Sequence, residues 1–169
     1  MSDASSSRDS AFWRFSLRFY ALPDVASACI ELQDKAGVDV NLMLFLLFLA
    51  DNNRTVSRGE VARLDERIAP WRDQVVGPLR DLRRRLKTGI GDIPAGESEG
   101  FRNMVKRIEL EAERLEQSRL ERDAAVVGVA ASSRATAAQS NLAAYAAHLG
   151  SMPATPTKIV LDAFTTFVP

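Results

Sequence analysis

The stretch DVNLMLFLLFLADNN, Asp39 to Asn53, decides how the chain is read. Nine apolar residues, Leu42 to Ala50, lie between polar borders. A membrane-spanning helix needs about 20 mostly apolar residues, so a run less than half that length belongs inside a fold. Leu, Met and Phe fill it and no β-branched residue interrupts its centre, which favours helix over strand. Apolar on every side, such a helix is stable only when other helices surround it. Asp39 stands where an N-cap belongs and Asn41 falls in the same first turn. Asp51, Asn52 and Asn53 favour a turn at the far end.

The flanks repeat the helical pattern. Ser10 suits an N-cap for a helix with an aromatic face of Phe12, Phe15 and Phe19. Val25, Ala28, Cys29 and Leu32 form the next apolar stripe, closed by Gly37. Ser57 and Glu60 have the spacing of a capping box ahead of Val61, Leu64 and Ile68. A further helix is expected to open near Pro70, with Trp71, Val75, Leu79, Leu82 and Leu86 inward and a kink at Gly77 and Pro78. Thr88 to Gly100, with four glycines and a proline, reads as a flexible loop. Phe101, Val105, Ile108, Ala112 and Leu115 then recur at the spacing of a helix that packs along a neighbour. No strand series and no internal repeat is visible.

These features predict an all-α fold, a single compact bundle of five to six helices around the apolar one. Three segments are expected: a disordered leader at 1–9, a helical domain at 10–123 and an alanine-rich helical extension with an apolar tail at 124–169. At 169 residues the chain is long enough for one domain that buries roughly 70% of its unfolded surface. Lysine plus arginine equal aspartate plus glutamate, 22 each, so no global field draws the protein to nucleic acid or anionic lipid. One cysteine, Cys29, forbids an internal disulfide framework and fits the cytoplasm. The leader has no basic-then-apolar order of a signal peptide.

Few residues have the chemistry of a site. Arg80, Arg83, Arg84 and Lys87 make a basic ridge able to grip an anion. Its alternative is pairing with Glu109, Glu113 and Glu116 across a helical hairpin. Asp39, Asn41, Trp71 and Arg72 would suit the polar end of an amphipathic ligand if they line a pocket between helices. Otherwise Asp39 and Asn41 cap backbone donors. His148 has Tyr145 three residues before it where a bundle metal site has glutamate, so no metal and no cofactor is expected. There is no phosphate loop, no Gly-x-Ser-x-Gly and no plausible Cys–His pair. The sequence leans away from an enzyme and towards a protein that acts through a protein partner or self-association, with the ridge or the tail KIVLDAFTTFVP as contact surface. A small anionic or amphipathic ligand is the alternative, and a nucleic acid is disfavoured.

FWRFSL, DVNLMLF and VVGPLRDLRRRLK, in this order, resemble an uncharacterised bacterial family of small all-helical proteins, a domain of unknown function. That family has an F-W-x-F-S-L opening, a D-V-N-L-L-L-F helix and a V-V-x-P-L-R-x-x-R-R-x-L-K helix. The resemblance covers about residues 11 to 120. It implies that Asp39, Asn41, Trp71, Arg80, Arg83 and Arg84 share a site or a core.

Overall fold

The computed structural model describes residues 10–168. The leader expected at 1–9 lies outside the described residues. In chain order the elements are α1 (Ala11–Tyr20), α2 (Val25–Ala36), α3 (Val40–Asp51), β1 (Arg54–Thr55), α4 (Arg58–Trp71), a π-helical turn (Arg72–Val76), α5 (Gly77–Arg85), α6 (Ala95–Glu121), β2 (Val129–Ala130), α7 (Arg134–Leu149) and α8 (Ala154–Thr166). The fold is all-α apart from one small antiparallel ribbon, which pairs Arg54 with Ala130 and Thr55 with Val129. Because α4, the π turn and α5 run on without a break, the described residues hold 7 helices, more than the five or six expected. None is long and apolar enough to cross a membrane.

The described residues divide into two compact units, one of residues 10–65 and 117–168, the other of residues 66–116. In the first, α3 is the buried centre: Asn41 to Leu47, Leu49 and Ala50 are all buried, with α7, α1 and β1 against it. Local signals fix its ends. Asp39 Oδ1 accepts from the Leu42 N–H at 3.0 Å, and Asn52 closes the last turn. The aromatic face of α1 covers α3 and the tail together. Phe12 meets Phe45 and Phe48 at 5.3 Å, and Phe15 and Phe19 each meet Phe167 at 5.5 Å.

The C-terminal third is no appendage to this unit. Ala137, Ala138, Leu142 and Tyr145 of α7 and Val160 and Phe164 of α8 are buried, and so is Phe167. Alanine lets helices approach closely, so a stripe of small residues can form a core face without large apolar side chains. The Arg134 guanidinium clamps the tail by meeting Asp51 at 2.7 Å, the Phe167 carbonyl at 2.8 Å and the face of Phe164.

The second unit corrects two boundaries. The helix expected to begin near Pro70 instead runs through it, since proline's fixed φ is helical and its missing N–H removes only one rung. A π turn follows, where the Gly77 N–H bonds the Arg72 carbonyl five residues back. That wide turn frees Pro78, whose ring would otherwise press on the carbonyl four residues upstream. A Cβ on Gly77 would lie 3.2 Å from the Arg72 oxygen. Helix α6 starts at Ala95 rather than Phe101, so the connection is short. A tight turn shapes it, with Ile90 and Ile93 exchanging backbone hydrogen bonds of 3.0 and 3.1 Å. Gly89, at φ +84, fits because a Cβ there would sit 2.8 Å from the Ile93 carbonyl.

Candidate functional site

The expected site residues fall on both units: Asp39 and Asn41 on the first, Trp71, Arg72, Arg80, Arg83 and Arg84 on the second. In the first, Asp39 is buried and its carboxylate caps α3, while its N–H donates to the Tyr145 hydroxyl at 2.8 Å. Asn41 is also buried and its Oδ1 accepts from Gln117 Nε2 at 2.9 Å. Both therefore satisfy polar groups within the fold, as buried polar groups must.

A third buried polar residue was not singled out from the sequence. Asn141 is fully buried on α7; its amide nitrogen donates to the carbonyls of Leu46, at 2.9 Å, and Arg54, at 3.0 Å, and its Oδ1 accepts from the Val56 N–H at 2.8 Å. It ties α3, the ribbon and the start of α4 together. Glu60 has a related role. Its carboxylate accepts from the Ser57 N–H at 2.8 Å, completing the capping box, and from the Gly128 N–H at 3.0 Å. The backbone hydrogen bond from Ser57 is the main force holding this carboxyl below the usual glutamate range.

In the second unit the ridge turns to α6. Arg80 meets Glu113 at 2.8 Å and Glu109 at 3.4 Å, and Arg83 grips the same Glu109 with Nε and with Nη2, the latter at 3.1 Å. Arg84 is exposed on α5. The Trp71 indole N–H donates to the Ala112 carbonyl at 2.9 Å, and Arg72 pairs with Asp73 at 3.0 Å. These contacts favour the hairpin-pairing alternative for Arg80 and Arg83.

Burial pushes the Cys29 thiol up to about 12, so it carries no thiolate near neutral pH. His148 stacks on Tyr145 and its Nε2 lies 2.9 Å from Asp65.

Two features remain on the surface. The first is a groove of about 510 Å³ in the first unit. Helix α7 lines it with Ala135, Ala138, Gln139, Leu142, Ala143 and Ala146. Helix α8 adds Ala154, Thr157, Lys158, Leu161, Asp162 and Thr165. Each set follows i, i+3, i+4, i+7, i+8, i+11, one complete helical stripe. The second is on α6, where the apolar pattern splits. Val105 and Ala112 are buried, whereas Phe101, Met104, Ile108 and Leu115 stay about half exposed.

A family described as protein of unknown function (DUF2390) matches residues 11–120. The chain belongs to this family. The DUF2390 span contains all seven expected site residues, in line with the motifs that carry the resemblance. Helices α7 and α8, which wall the groove, lie beyond it. Among curated proteins and among solved structures, nothing matches the chain.

Proposed function

We propose that this DUF2390 protein is a non-enzymatic, cytoplasmic bacterial protein that acts through a protein partner, whose amphipathic helix lies in the α7–α8 groove. The observation that carries the reading is the pair of matched stripes facing one open slot. Amphipathic helices bind grooves of this kind through anchors at i, i+3, i+4 and i+7. Alanine on the α7 wall leaves room for large apolar anchors, and Lys158 and Asp162 on the rim supply direction. The two surfaces expected from the sequence are engaged within the chain: the tail packs on α1, and Arg80 and Arg83 hold α6. The lone buried cysteine supports a reducing compartment.

Affinity capture with the full chain and with Ala143→Glu tests this. Ala143 is exposed within the groove, so the change adds a charge there without disturbing the core. A partner held by the wild type and lost by Ala143→Glu is expected, whereas equal capture by both removes the groove from the reading. A small amphipathic ligand is the second reading, favoured by the groove's volume, which falls within the range of about 300–1,000 Å³ usual for such sites.

A further inference from the structure

Resting on the reading of the groove as a helix acceptor, we infer that its occupant is α6 of a second copy of this chain. The exposed α6 stripe and the groove are complementary in charge and in apolar register. On α8, Lys158 and Asp162 stand four residues apart on the rim, both well exposed and joined at 2.5 Å. On α6, Arg107 and Glu111 stand four apart beside the stripe, both exposed, with the cation first along the chain as on α8. An antiparallel approach of α6 to α8 sets Glu111 opposite Lys158 and Arg107 opposite Asp162 at the same time.

The same register settles the apolar positions, because both helices rise equally per residue. Ile108 comes level with Leu161, Leu115 with Ala154 and Met104 with Thr165, while Phe101 falls just past the end of α8 at Thr166, where Val168 is 77% exposed. Large side chains on one copy thus meet Ala154, Thr165 and the partly exposed Leu161 on the other, and Ala138, Ala143 and Ala146 of α7 form the opposite wall. Glu111 is held by Arg114 of its own helix at 2.9 and 2.5 Å, which fixes the carboxylate while leaving it half exposed. Stripe and groove are different surfaces, so each copy can offer one face and receive with the other.

Because the contact joins two different surfaces, it makes a prediction that stripe-to-stripe or groove-to-groove pairing does not. Arg107→Asp alone, or Asp162→Arg alone, places like charges opposite each other at every contact. A one-to-one mixture of the two variants puts opposite charges back at the contacts between unlike chains, whichever chain gives the helix. Sedimentation velocity of the full chain over about 1–500 µM, the range of weak self-association, reads this. The wild type is expected to gain mass with concentration, each variant to associate about tenfold more weakly, and the mixture to return to within about threefold of the wild type. Unchanged melting of both variants checks that the fold is intact. A wild type that stays monomeric, reversals without effect, or a mixture as weak as either variant would each overturn the inference. If a monomeric wild type still captures a foreign protein that Ala143→Glu loses, self-docking falls and the partner reading stands; if that capture is absent too, both fall.

Discussion

Residues 10–65 with 117–168 and residues 66–116 come from one chain of balanced charge, yet they hold themselves together differently. The first unit buries an aromatic and aliphatic interior, and its buried polar groups Asp39, Asn41, Gln117, Asn141 and Tyr145 answer one another or the backbone. In the second unit α5 buries no residue at all, and Arg80 and Arg83 bind it to Glu109 and Glu113 of α6. Packing and neutral hydrogen bonds respond little to ionic strength, whereas partly exposed ion pairs weaken as salt screens them. The contrast bears on function. A firm unit with a shaped groove suits an acceptor, and a thin unit with an exposed apolar stripe suits the inserted element.

The largest expected effect lies in the first unit. Phe45→Ala, which removes a fully buried ring in contact with Phe12, should destabilise it by about 3–5 kcal/mol in urea unfolding. A loss under about 1 kcal/mol would mean that α3 is not the centre. Asn141→Ala should follow at about 2–3 kcal/mol, because the Val56 N–H and the carbonyls of Leu46 and Arg54 lose their partner in a dry interior. Glu109→Gln tests the other unit. It withdraws the charge shared by both arginines and should cost about 1–2 kcal/mol at low salt, with the difference from wild type shrinking at high salt. A salt-independent loss would show that packing holds α5 and α6.

The smallest expected effect is a dependence on acid. The carboxyl of Glu60 titrates lower in the folded chain than in the unfolded one, so its contribution is full above the usual glutamate value of 4.5 and fades as the pH falls below it. Thermal melts of wild type and Glu60→Gln between about pH 7 and pH 3 should therefore converge in acid. Curves that stay parallel would remove Glu60 as the source.

Local chemistry was the legible part of the sequence. Ser10, Gly37, Asp39 and the Ser57–Glu60 box act within a few residues of themselves, and each closes its helix end as the residue types imply. Ring-filled stripes were legible for the same reason: their spacing needs no knowledge of the partner. Asn141 was not, since its acceptors and donor lie more than 80 residues away and it sits between Ser140 and Leu142 in an alanine-rich stretch. The groove escaped notice likewise, because a wall of alanine has the helical period without the hydrophobic contrast that makes a period visible. Pro70 misled because proline marks helix starts and ends on average, while here α4 runs through it and the irregularity falls at the π turn ahead of Pro78. On α6 the helical spacing was real, but of its five apolar positions only Val105 and Ala112 are buried.

Native-state hydrogen exchange, read helix by helix at low salt and at about 1 M salt, tests the contrast most directly, since slow exchange reports the opening of each cooperative segment separately. Amides of α5 and of residues 99–116 should lose protection as salt rises, while those of α3 and α7 keep theirs. Equal loss in both sets, or protection of α5 untouched by salt, would contradict the assignment of an ionic frame to one unit and a packed core to the other.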